Sequence, residues 1–174
     1  MPPGLARLTS LCLGGFGLVA GLWAWRELAA LIAVPDGAST MGVRLGLASA
    51  ALLPTALLLL LMTVASFTAR FVTAAFDPLL GADPRFVRCN QRVISNTVEQ
   101  TAVFVPALLA WAAGAGAAAM PGVLAAGAVF AASRLAFWVG YLANPFGRAP
   151  GMAASIALNF LALWMAGRAW IWAW

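Results

Sequence analysis

The stretch RVISNTVEQ, residues 92–100, carries Arg92, Asn96 and Glu99 into the start of the apolar run TAVFVPALLAWAA. Two further arginines precede it, so Arg85, Arg88, Arg92, Asn96 and Glu99 are spaced 3, 4, 4 and 3 residues apart. At helical periodicity these five side chains fall within a sector of about 80°. They form one polar stripe along a helix that is otherwise apolar. Asp83-Pro84 just upstream reads as an N-cap followed by proline at the first helical position. The spacing therefore predicts a helix from about 84 to 113 that begins in water and enters a membrane.

Composition supports the membrane. Of 174 residues, 64% are hydrophobic and 9% charged, against about 25% charged in soluble domains. Several apolar runs reach the ~20 residues that a bilayer crossing needs. Such runs indicate spanning helices and exclude a β-barrel. The +5 net charge is no nucleic-acid footprint, because the chain has no Lys and its ten Arg are dispersed. It contains no His, and Cys12 and Cys89 are far apart, so neither a metal site nor haem chemistry is indicated. The N-terminal run has no clear cleavage site and is read as a retained helix.

Five membrane helices are predicted, at about 8–33, 43–70, 84–113, 121–143 and 149–172. Pro35-Asp36-Gly37 ends the first, and Trp23, Trp25, Arg26 and Glu27 suggest that it surfaces near residue 26. Pro54 is expected to kink the second. A polar loop covers about 71–83, the linker GAGAAAMPG precedes the fourth helix, and Asn144-Pro145-Phe146-Gly147 ends it. The terminal WIWAW suits an aromatic belt. Residues 1–174 read as a single membrane domain. Arg7, Arg70, Arg85, Arg88, Arg92 and Arg148 group at one face, with Arg44 and Arg168 at the other. The positive-inside rule then puts the N-terminus in the cytoplasm and the C-terminus outside. The Arg- and Ala-rich composition suggests a bacterial inner membrane.

The polar residues admit more than one reading. Arg85 and Arg88 suit a solvated helix end, Glu99 an ion pair with a neighbouring helix, Arg148 a positive-inside flank, and Tyr141, the single tyrosine, an aromatic-belt residue. Arg70 ends the second helix, in step with Thr63 and Ser66, and Arg134, Trp138 and Tyr141 share a face of the fourth. Several guanidiniums with one carboxylate, one amide and one phenol also suit a small anionic zwitterion, since Arg binds carboxylates bidentately.

The pattern Arg92-x-x-x-Asn96-x-x-Glu99, then Arg134-x6-Tyr141, then Arg148-Ala149-Pro150 resembles the MAPEG superfamily (membrane-associated proteins in eicosanoid and glutathione metabolism). The strings NTVEQ, SRLAFWVGY and GRAPG are most similar to its bacterial members. The resemblance implies an all-α bundle with a four-helix core in 43–174 and an additional helix in 1–40. It also implies a homotrimer that binds glutathione as co-substrate between subunits near the cytoplasmic face. Arg92, Asn96 and Glu99 match glutathione-holding residues, and Tyr141 a binding tyrosine. Arg148 matches the arginine that stabilises the thiolate in the leukotriene-conjugating member. Arg70 matches an arginine at the end of the family's first helix, and Arg134 belongs to the same binding group. Ser95, Phe137 and Gln100 stand where better-understood members carry arginine, histidine and tyrosine. Two functions follow from the resemblance: a glutathione-dependent transferase or peroxidase acting on lipophilic electrophiles, or a non-catalytic scaffold or lipid-binding subunit of the same fold. A transporter is disfavoured, because the short chain lacks an inverted repeat.

Overall fold

The computed structural model describes residues 2–75, 77, 81, 83–144 and 146–171, and these form an all-helical bundle. Helix α1 spans Pro3–Leu31, α2 Met41–Val72, α3 Arg85–Gly114, α4 Met120–Ala143 and α5 Arg148–Ile171. A single 3₁₀ turn, Ala117–Ala119, joins α3 to α4. All five α-helices are long and apolar enough to cross a bilayer, and the chain is an integral membrane protein. Helix α4 is central, packed against the other four.

The core follows from the apolar faces of α3, α4 and α5. Phe104 stacks on Phe130 with centroids 4.0 Å apart, and Leu108, Trp111, Met120, Val123, Leu158 and Ala162 surround them. A smaller cluster, Leu58, Met62, Val93 and Phe137, lies toward the arginine-rich end. Helix α2 leaves Leu53, Leu57, Leu60, Val64 and Phe67 exposed. In a membrane that face meets lipid at no desolvation cost.

Several expectations are refined. Helix α1 begins at Pro3, where proline's fixed φ favours a first turn. It continues past Arg26 to Leu31, held by Trp25 Nε1 donating 2.9 Å to the Gly122 carbonyl. Pro54 lies inside an unbroken α2. Asp83 is not a helix cap: Pro84 takes the N-cap position of α3, with no side-chain capping bond. The Asp83 carboxylate instead accepts two bonds from Arg70, at 2.9 Å from Nε and 2.8 Å from Nη2. This bidentate charge-assisted pair ties the end of α2 to the start of α3. The predicted loop at 71–83 is described only in part, and of the terminal WIWAW only Trp170 and Ile171 lie among the described residues.

Arg44 illustrates how a lone cation is kept near a membrane face. Its guanidinium donates to the carbonyls of Ala112 (2.9 Å), Ala113 (3.1 Å) and Ser39 (2.8 Å). Two of these carbonyls belong to the last turn of α3, which has no partners of its own and favours a cation.

Helix α1 crosses α5 through glycine. A Cβ on Gly17 would collide with the Pro150 backbone, and one on Gly21 with Ala154. These are the only buried residues of α1, so the small-xxx-small spacing permits the whole contact. Gly17→Val is therefore expected to destabilise the protein by about 1–3 kcal/mol through overpacking. Thermal unfolding in detergent measures this, with Gly15→Val, whose Cβ meets open space, as the tolerated comparison.

The Arg70–Asp83 clamp gives a pH signature. The hydrogen bonds from Arg70 hold the Asp83 carboxyl below its ordinary range, against the opposing effect of burial. A carboxyl with a depressed folded pKa contributes stability above its unfolded pKa of about 3.9 and loses it as pH falls through the lower folded value. The melting-temperature gap between wild type and Asp83→Asn is expected to be full near neutrality and to close below about pH 4. A gap independent of pH would contradict the clamp.

Candidate functional site

Residues from four helices converge on one open cleft of about 590 Å³. Helix α3 contributes Arg92 and Asn96, α4 contributes Phe137 and Tyr141, and α5 contributes Arg148, Ala149, Met152, Ala153 and Ile156. Helix α1 adds Ser10 and Gly14. Arg92 and Asn96 are four apart, as are Phe137 and Tyr141, so each pair stacks on one face of its helix.

The turn between α4 and α5 sets the position of Arg148. Asn144 Oδ1 accepts from the backbone N–H of Phe146 (2.6 Å) and of Gly147 (3.2 Å). Gly140 and Gly147 approach so closely that a Cβ on either would strike the other's carbonyl. This tight reversal brings the Arg148 guanidinium to 5.3 Å from the Tyr141 ring centroid. Tyr141 in turn meets Phe137 edge-on at 5.7 Å. Arg148 is also the first residue of α5. There the helix dipole is positive, so the local field disfavours the arginine alone and favours an anion beside it.

Behind the cleft lies Arg134, fully buried. Its Nη2 donates to Asn96 Oδ1 at 2.9 Å and to Thr97 Oγ1 at 2.8 Å, while Nη1 donates to Ser155 Oγ at 3.0 Å. Its Cζ sits 4.2 Å over the Phe137 ring centroid. Arginine is a donor only, so the Asn96 atom facing it must be the carbonyl oxygen. The Asn96 amide nitrogen is left as the free end, and Asn96 lines the cleft. Among the described residues the cleft lining therefore offers two guanidiniums, an amide donor, a phenol and a hydroxyl, with no carboxylate. Such a lining is complementary to an anion rich in acceptors.

Of the seven residues singled out in the sequence, Arg92, Asn96, Tyr141 and Arg148 line this cleft. Arg134 supports it from behind through Asn96. Arg70 is engaged with Asp83, and Glu99 is exposed on α3 one turn beyond Asn96, outside the cleft lining. Sequence reasoning missed the inner polar face of α3. Asn90 Nδ2 bonds the Met62 carbonyl (2.7 Å) and Ser66 Oγ (2.8 Å) on α2, and Thr97 holds Arg134. Their seven-residue separation was the available signal, on a face roughly 100° from the edge of the arginine stripe but interleaved with it in the sequence. Gln100 bonds Asn159 at 2.7 Å, which gives it a packing role between α3 and α5.

No curated protein matches the chain, and no solved structure does. The sequence model described as the MAPEG family matches residues 47–168, from within α2 to near the end of α5. That span holds all but α1 of the cleft, and the chain belongs to the MAPEG family.

Proposed function

We propose that the protein is a membrane-embedded glutathione-dependent transferase or peroxidase acting on lipophilic electrophiles. The observation that carries the reading is the gathering of Arg92, Asn96, Tyr141 and Arg148 in one cleft without an acidic residue among the described lining. Family membership makes glutathione the first candidate anion. Arg92 and the Asn96 amide would hold its carboxylates, and Arg148, at the start of α5, would stabilise the thiolate. A thiol titrating near ~8.5 in water is mostly protonated at neutral pH, and a neighbouring guanidinium favours its ionised, nucleophilic form. With 1-chloro-2,4-dinitrobenzene, sulfur forms a C–S bond as the C–Cl bond breaks and chloride leaves, the thiol proton passing to solvent. With a lipid hydroperoxide, two glutathiones are oxidised to the disulfide while the hydroperoxide is reduced to alcohol and water.

The reading includes assembly of several copies, as a homotrimer, in a bacterial inner membrane with the arginine-rich end cytoplasmic. Glu99 supports assembly. It falls at the midpoint of the 30-residue α3 and is exposed on the single chain. A carboxylate left facing hydrocarbon costs a few kcal/mol, and a neighbouring copy would cover it.

Glutathione titration by calorimetry, paired with a chlorodinitrobenzene assay, tests the proposal. Binding and turnover by wild type are expected, and the absence of both refutes it in favour of a scaffold or lipid-binding role. Arg148→Ala is expected to lower kcat by roughly 10²-fold, the scale of losing one group that stabilises a developing anion. Thiolate ultraviolet absorbance should fall with it. Arg134→Lys cannot span Asn96, Thr97 and Ser155 at once. It is expected to weaken glutathione binding about tenfold, one lost hydrogen bond's worth, while leaving the thiolate signal of the saturated enzyme unchanged.

A further inference from the structure

The cleft is not built by the family-matched helices alone. Ser10 and Gly14 belong to α1, which ends before residue 47, where the family match begins. Gly17 and Gly21 are glycine because the crossing with α5 leaves no room for a Cβ. Gly14 is different. A Cβ there would stand 3.8 Å from the Ala153 Cβ, an ordinary contact. The crossing does not require glycine at 14, and the missing side chain adds space to the cleft.

Along α5 the lining changes character. It passes from Arg148 and Ala149 through Met152 and Ala153 to Ile156, about 12 Å from a cationic mouth to an apolar end at ~1.5 Å per residue. Gly14 lies against Ala153, in the apolar half. The cleft thus joins an anion-binding end to a slot of hydrocarbon character, walled on one side by α1.

We propose that α1 forms the wall of an acceptor subsite at the apolar end of the cleft and that Gly14 sets its bore. The subsite takes the hydrocarbon part of a lipophilic electrophile whose reactive centre points toward Arg148. The proposal rests on the glutathione reading above. A long-chain α,β-unsaturated aldehyde has the required chemistry. The thiolate sulfur forms a C–S bond to the β-carbon, the π electrons shift to the carbonyl oxygen, and a solvent proton adds at the α-carbon. Nothing leaves, and no oxidant or reductant is needed.

The test measures kcat/KM with glutathione for a series of 2-alkenals of increasing chain length, together with glutathione affinity by calorimetry. The full-length proteins are wild type, Gly14→Ala, Gly14→Leu and Gly15→Leu. Gly15 is exposed, lies outside the cleft lining and meets open space, so its variant controls for the change in helix propensity. In wild type, kcat/KM is expected to rise with chain length. Gly14→Leu should lower the value for the longest aldehyde about tenfold or more while the shortest aldehyde and the glutathione Kd stay within about twofold. Gly14→Ala should fall between, and it carries the comparison if Gly14→Leu does not fold. Gly15→Leu should match wild type. An unchanged chain-length profile in the Gly14 variants, with glutathione binding intact, overturns the acceptor subsite alone. So does an equal loss for all aldehydes with loss of glutathione affinity, which would move α1 to the glutathione end. Wild type that binds no glutathione overturns the proposed function itself, and the subsite with it.

Discussion

The cleft depends on a guanidinium buried where no carboxylate is at hand. Arg134 lies in the interior of the bundle, and the Arg70–Asp83 salt bridge lies elsewhere, between α2 and the start of α3. A buried cation without hydrogen bonds would be prohibitive. Arg134 meets the requirement with neutral oxygens from two other helices, Asn96 and Thr97 on α3 and Ser155 on α5, and with the face of Phe137 on its own helix. These bonds fix how α3, α4 and α5 are rotated about their axes. They also fix the orientation of Asn96, because its carbonyl is consumed and its amide nitrogen is left for the cleft. A lysine or an apolar residue at 134 could not impose both constraints.

A second constraint is electrostatic. Arg148 stands at the positive end of α5, and Arg92 faces the same cleft from α3. Their mutual repulsion and the helix dipole give the cleft a positive potential. An anion relieves both at once, so the lining suits a negatively charged ligand. The apolar half of the cleft, by contrast, carries no such demand, and there α1 and the side chain missing at Gly14 determine shape. The family-matched region thus supplies the cationic end and the α5 side of the apolar end, while α1, outside it, forms the other wall.

Much of this was legible in the sequence. Five helices and their approximate ends followed from apolar run length and from proline and glycine punctuation. Arg92, Asn96, Tyr141 and Arg148 stand out by spacing and resemblance, and the structure brings these four to one cleft. What spacing could not supply was depth or the identity of a neighbour. The stripe gives an azimuth on α3, so Glu99 looked equivalent to Asn96, although it stands a turn beyond the cleft. Asp83 read as a helix cap because local rules see only the next few residues, whereas its partner Arg70 lies 13 positions back across a loop. Arg134 is grouped with the binding residues by resemblance, and nothing in a single helix reports its complete burial. The glycines of α1 were weak signals in a chain so rich in Ala and Gly, and only the crossing with α5 distinguished Gly17 and Gly21 from Gly14.

On the proposed function, the cationic cleft binds glutathione as its thiolate. Proton release on binding tests it most directly, by calorimetric titration of wild type with glutathione near pH 7 in buffers of different ionisation enthalpy. A free thiol with a pKa near ~8.5 is only a few per cent ionised at that pH, so binding the thiolate should release close to one proton per site. S-methylglutathione, which has no thiol proton, should bind without that release. Glutathione binding with no proton release, or no binding at all, would contradict the claim.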